Sequence, residues 1–194
     1  ARDQGVKVYT IGIGQRSNAA LLRTSGSRYQ RIPGGSVDLE TLEKISKITG
    51  GKSFYAGNEA ALEEVLNEID KSISTRQLLL SIVAGVKLDT LTKSTSHASV
   101  IRVMPNTPAQ IGSGVSVWTA SNSVSDKQKK MVVSLLQPLG IEIYVENETL
   151  IDMSTALSAS GPAYVFAFTE SLIDAGIHTG MSIELSTELA IHTV

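Results

Sequence analysis

Short β-branched or aromatic runs alternate with amphipathic helical stretches along most of this chain, and few architectures accommodate that order. Val6–Ile11 reads as a strand ending at Gly12. Asp38 then caps a helix that places Leu39, Leu42, Ile45 and Ile48 on one face and stops at Gly50 and Gly51, Gly50 in a left-handed turn. A strand in "KSFYA" and a helix from Glu59 to Ser72, with Leu62, Val65, Leu66 and Ile69 inward, complete a β-α-β-α unit. The stretch Gln15–Ser36 is rich in Gly, Ser and Arg without a clear period. It reads as loop, and Arg16, Arg23, Arg28 and Arg31 as its solvated charges. After the polar break Lys71–Gln77 a second series begins. Strands are expected at Leu78–Val83, Val100–Met104, Val115–Ala120 and Ile141–Val145, and helices near Leu88–Thr92, Asp126–Leu139 and Glu148–Leu157. Such alternation implies a mostly parallel sheet covered on both faces. Each piece would leave exposed strand edges, so the two sets of strands are candidates to pair into one composite sheet.

From Leu150 onward the strands stop. Pro162 stands at a helix start, where its missing N–H costs least, and the Ser158–Gly161 turn ahead of it is expected to expose backbone N–H groups. Ser158 and Ser160 are also placed to cap that helix. Val165, Phe168, Leu172 and Ala175, widened by Phe166 and Ile173, give an apolar face broad enough for packing by a second subunit. Gly180 ends this helix and another begins near Ser182. The chain is therefore read as α/β, with parallel α/β units followed by an all-helical segment.

Composition narrows the function. A net charge of −2 and a pI near 5.9 disfavour nucleic acid or an anionic membrane as partner. With no Cys there is no disulfide framework, thiolate chemistry or thiolate metal site, and no apolar run is long enough to span a membrane. The N-terminus carries no signal pattern, which makes a cytoplasmic setting the expectation. His97, His178 and His192 are scattered and read as solvated or capping groups, Trp118 as core.

The stretch "IRVMPNTPAQIG" is the most purposeful segment. Pro105 and Pro108 bracket Asn106 and Thr107 directly after an apolar strand, and each proline stiffens the residue before it. "IGIGQRS" supplies Gly12-x-Gly14 after a strand, but Ser17 stands at the third glycine and no acidic strand end follows at the distance of a dinucleotide fingerprint; it reads as a plain strand-end turn.

Residues Leu78–Val194 resemble the middle of a pyrroline-5-carboxylate reductase. "SIVAGVKLDTL", "VIRVMPNTPAQIG", "LIDMSTALSASGPAYVF", "ESLIDAGIHTGM" and "ELAIHTV" match that family in order and spacing. The resemblance implies a partial Rossmann-like NAD(P)-binding domain over 76–147 and the start of a helical dimerisation domain over 148–194, with homodimers or larger assemblies formed through the C-terminal helices. It implies NADP or NAD as cofactor and 1-pyrroline-5-carboxylate as substrate. The cofactor side would be formed by Ala84 and Gly85, where the cofactor's backbone passes closely, and by Pro105, Asn106, Thr107 and Pro108 at the nicotinamide end. Ser158, Ala159, Ser160, Gly161 and Pro162 would form a substrate-side turn. No catalytic side chain and no metal is assigned.

The sequence departs from the family at three places. Ala159 replaces a glycine, which would impose strain if that position needs positive φ. The Gly-rich pyrophosphate fingerprint and the Gly/Pro/Thr-rich substrate loop are both missing, so little turnover is expected of this chain, and the residues that read the 2′-phosphate are not in it. Residues 1–75 resemble instead the C-terminal part of a von Willebrand factor type A domain, through "GVKVYTIGIG", "LETLEKISKITGGKSFYA" and "ALEEVLNEIDK", without that family's Asp-x-Ser-x-Ser metal ligands. The alternatives to a reductase are thus a partner-binding module of that type or a non-functional joined fragment.

Overall fold

The computed structural model describes residues 5–13, 19–24, 28–33 and 38–194. The chain divides into two compact units, Ala1–Ser74 with Ser94–Ser96, and Thr75–Lys93 with His97–Val194. The described strands form three separate sheets, and no strand of the first unit joins the sheet of the second. The composite sheet expected from the sequence is not seen among the described strands.

In the first unit, β1 (Thr10–Ile13) is followed by β2 (Ala19–Thr24) and β3 (Arg28–Pro33). These two pair antiparallel with Ala19 opposite Pro33, so the expected loop contains a hairpin that carries Arg23, Arg28 and Arg31 on its strands. Near-neighbour strands can pair antiparallel without a crossover, and the pairing is backbone-made, which is why composition hid it. Arg16 and Gly14 lie outside the described residues. A hairpin after β1, rather than a helix, removes the framework of a dinucleotide fingerprint there.

Helix α1 (Leu39–Thr49) starts as its sequence demands: Asp38 Oδ1 accepts from Thr41 N at 3.0 Å, and Gly50 ends the helix at φ 75°. The Thr41 hydroxyl and N–H hold the Asp38 carboxyl below its ordinary value. Ile45 and Ile48 do not face inward as expected; they are 42% and 63% exposed. Strand β4 (Ser53–Ala56) runs parallel to β1, and this two-stranded sheet is too narrow to cover the whole helix face. Helix α2 (Glu59–Asp70) buries Val65, Leu66 and Ile69 as its spacing predicts, with Leu62 half-buried.

The second unit holds a sheet ordered β5 (Leu79–Ser81), β6 (Val100–Pro105), β7 (Gly114–Ala120) and β8 (Gly140–Tyr144). β5–β6 and β7–β8 are parallel and β6–β7 antiparallel. The connection between β6 and β7 is too short for a crossover helix, which forces the chain to turn back. Helices α3 (Leu88–Ser94), α4 (Asp126–Leu136) and α5 (Thr149–Ser154) accompany the sheet. On one face Ile101, Val103 and Trp118 pack with Val132 and Leu136 of α4 in the main core. The alternating pleat sends Arg102 of β6 to the opposite face, toward α5. His97 is not solvated: it is buried, with Nε2 2.6 Å from the Gln77 carbonyl oxygen.

The chain ends in α6 (Gly161–His178) and α7 (Ile183–Thr193), with Pro162 in the first turn of α6 and Ser182 Oγ accepting from Leu185 N. Tyr164, Val165, Phe166 and Phe168 are exposed on α6. α6 and α7 approach closely at Gly176, where a Cβ would lie 2.6 Å from Ser186 Oγ and 2.9 Å from Ser186 Cβ. Ser186 Oγ is itself buried with no partner. Gly176→Ala is expected to lower stability by about 1–3 kcal/mol, the usual cost of overpacking. A thermal melt followed by circular dichroism checks it; an unchanged midpoint would mean that the helices separate freely.

Candidate functional site

β5 and β6 are parallel neighbours, so their carboxyl ends open at one edge of the sheet, where ligands settle in open α/β sheets. Two segments follow these ends. After β5, Ser81 Oγ accepts from Val83 N at 3.3 Å and the chain turns through Ala84 and Gly85 at φ 78°. A Cβ on Gly85 would touch nothing within 4 Å, so the glycine serves the left-handed turn and the space beside it is open.

After β6, Asn106 holds an extended backbone and Thr107–Ile111 forms a 3-10 segment with Pro108 in its first turn, ended by Gly112 at φ 72°. Asn106 grips Val115 of β7 twice. Its backbone N–H donates to the Val115 carbonyl at 3.2 Å, and its Oδ1 accepts from Val115 N at 2.8 Å. Its Nδ2 donates to the Ser158 carbonyl at 3.4 Å. The side chain thus works first as a brace between β6, β7 and the segment around Ser158. This leaves one amide hydrogen and a carbonyl lone pair for anything bound. Thr107 is exposed beside it.

The segment Ser158–Gly161 is not the open turn that was expected. Thr155–Ala159 is a π-helical turn continuing α5, in which Ser160 N donates to the Thr155 carbonyl at 2.9 Å. No side chain caps α6, so neither Ser158 nor Ser160 does so. Among described residues other than glycine only Ser96 has positive φ, hence Ala159 sits without the strain considered for it. π-turns of this kind are frequent where helices carry a site.

Asn106, Pro108, Ser158, Gly161 and Pro162 line one cleft of about 400 Å³, together with Leu157, Val165 and Phe166. Pro105, Thr107, Ala159 and Ser160 belong to the same segments without lining it, and Ala84 and Gly85 lie after the neighbouring strand. Leu157, Val165 and Phe166 were not anticipated as walls, because their spacing reads equally well as helix core or interface. Arg102 was also missed, although a lone charge inside "VIRVMP" signals a buried counter-charge. Its Nη1 meets Glu148 Oε1 at 2.8 Å and its Nη2 meets Asp152 Oδ1 at 2.6 Å. Among the described residues no group of three or more His, Asp or Glu side chains is placed to hold a metal.

This arrangement defines a class: a Rossmann-like α/β unit whose strand-end loops face the first turns of a helical segment. In both sequence and structure the chain is similar to pyrroline-5-carboxylate reductases. The family description "Pyrroline-5-carboxylate reductase dimerisation" matches residues 148–194. The chain is 35% identical to the pyrroline-5-carboxylate reductase of Arabidopsis thaliana over 141 residues, 73% of this chain and 51% of that protein. It is 37% identical to that of Aquifex aeolicus over 133 residues, 68% of this chain and 49% of the relative. A Plasmodium falciparum pyrroline carboxylate reductase crystallised with NADP superposes with a TM-score of 0.65 at 37% identity, covering 73% of this chain and 56% of that one. The Coxiella burnetii reductase gives 0.64 at 27% identity, covering 80% and 64%. The chain spans about half the length of the curated relatives it matches. Because the Arabidopsis match is longer than the 117 residues from Leu78 to the end, the likeness reaches upstream of Leu78.

Proposed function

We propose that this chain supplies the nicotinamide side and the dimerisation segment of an NAD(P)H-dependent pyrroline-5-carboxylate reductase, which reduces 1-pyrroline-5-carboxylate to proline. The observation that carries this reading is the cleft shared by Asn106, Pro108, Ser158, Gly161 and Pro162, which joins the strand-end loop to the helical segment. Its volume of about 400 Å³ and its mostly apolar walls suit a flat ring with one polar edge. When bound, the dinucleotide supplies the hydride that reduces the cyclic C=N bond. The residues of this chain orient and enclose. Asn106 presents polar atoms to the ring's amide edge, while Leu157, Val165 and Phe166 supply the apolar wall; Thr107 stands exposed beside Asn106 on the same loop. Ala84 and Gly85 leave the sheet edge open for the cofactor's backbone. The turn from Ser158 to Pro162 faces the substrate. The accompanying proton reaches the imine nitrogen from solvent, since the lining of the cleft carries no carboxyl, imidazole or amine side chain.

The exposed apolar face of α6 is assigned to a second copy of the chain. No helix among the described residues is long and apolar enough to cross a membrane, and we place the reductase in the cytoplasm.

A calorimetric NADPH titration tests the assignment, with Asn106→Ala as comparison. Saturable binding is expected, weakened about tenfold by the substitution, in line with a lost ligand contact and an unpaired Val115 N–H. A folded chain that binds no NADPH, or binds it equally in both forms, would overturn the reading.

A further inference from the structure

We infer that Arg102 is a positioning residue for the cleft: it fixes the π-turn that carries Leu157 and Ser158 against the Asn106 loop. This rests on the proposed cofactor-side reading of the cleft. Arg102 is the only charged residue of β6, and its side chain is 2% exposed. Its two partners stand one helical turn apart, Glu148 at the N-cap of α5 and Asp152 within the helix, so the guanidinium fork holds the helix at two points. Glu148 Oε1 also accepts from Leu88 N at 2.8 Å, which ties the start of α3 to the same node. Directly after α5 comes the π-turn, and directly after β6 comes Asn106; the Asn106 Nδ2 to Ser158 carbonyl contact spans the two.

β6 and the α5–π segment are thus joined at two rungs. The first is a charged, two-pronged clamp whose guanidinium is buried while Glu148 is partly and Asp152 about half exposed. The second is a single neutral hydrogen bond at 3.4 Å, in the wall of the cleft. The strong rung sets the separation at which the weak one can form. Arg102 itself reaches no part of the cleft, so its influence on a bound ring passes through Ser158, Leu157 and Asn106.

The test uses the ¹⁵N-labelled full chain and follows the Asn106 side-chain amide pair, assigned by its loss in Asn106→Ala. Arg102→Met combined with Glu148→Gln and Asp152→Asn removes the clamp without leaving unpaired carboxylates. Arg102→Lys keeps a charge but not the fork. We expect the triple variant to keep its circular dichroism spectrum while the Asn106 amide signals move to free-amide positions and NADPH affinity falls about tenfold or more. Arg102→Lys should restore both in part. A folded triple variant with unchanged Asn106 signals and affinity would overturn the inference. If the triple variant does not fold, Arg102→Lys decides: displaced Asn106 signals support positioning and unmoved ones refute it. Displaced signals in a chain whose parent form binds no NADPH would uphold Arg102 as the positioner and reject the functional reading.

Discussion

Trp118→Ala is expected to destabilise the second unit by about 3–5 kcal/mol, the cost of truncating a large buried aromatic side chain. Trp118 is 2% exposed at the centre of the main core, among Ile101, Val103, Val132 and Leu136. Its Nε1 donates to Glu142 Oε2 at 2.6 Å, and its ring lies 4.7 Å from that of Tyr144, over which Lys129 Nζ stands at 4.5 Å. Alanine would remove the ring from between β7, β8 and α4 and leave the Glu142 carboxylate without that donor. Domains of this size have about 5–15 kcal/mol in total, so the loss is a large share. Urea denaturation followed by far-ultraviolet circular dichroism measures it, since the single tryptophan that fluorescence would report is the one removed. A shift below about 1 kcal/mol would mean that the core around β7 collapses to fill the space.

Gly114→Ala is expected to strike the cleft from behind. Gly114 is buried at the start of β7, and a Cβ there would lie 2.5 Å from Ala109 N and 2.6 Å from Ala109 Cα. Both are backbone atoms of the 3-10 segment, so relief requires that segment to move, taking Thr107 and Pro108 with it. The opposite side offers no room, because Gly140, paired with Gly114 across the sheet, also approaches its backbone closely. We expect a loss of at least about 1–3 kcal/mol, the range for overpacking, and faster hydrogen exchange at the Val115 amide as the Asn106 brace loosens. NADPH affinity should fall in the same variant. Wild-type exchange at Val115 would show that the loop accommodates the methyl group.

These effects depend on contacts that differ in how far they could be read along the chain. The local ones were legible. Asp38 and Gly50 define the ends of α1, Val65, Leu66 and Ile69 mark the inner face of α2, and Pro162 announces α6. Each rests on residues within a turn or two of one another. The proline-bracketed Asn106 was legible as a stiffened position after a strand, and the order of five motifs pointed to the reductase family. Within Gln15–Ser36 the strands Ala19–Thr24 and Arg28–Pro33 were misread as loop because paired strands of mixed composition give no apolar alternation. His97 was misread because a polar neighbourhood in sequence says nothing about burial.

What the sequence determined by itself is the alternation of elements, the caps that bound them, the change to an all-helical end, and the family it resembles. The tertiary structure alone decided that β7 returns antiparallel to β6, that Asn106 braces Val115 and Ser158, and that Arg102 clamps Glu148 and Asp152. Caps and amphipathic faces are set by neighbours a few positions away. These pairings close over 9 to 52 residues, and which partner a buried amide or guanidinium finds is settled only when the packed elements bring it within reach.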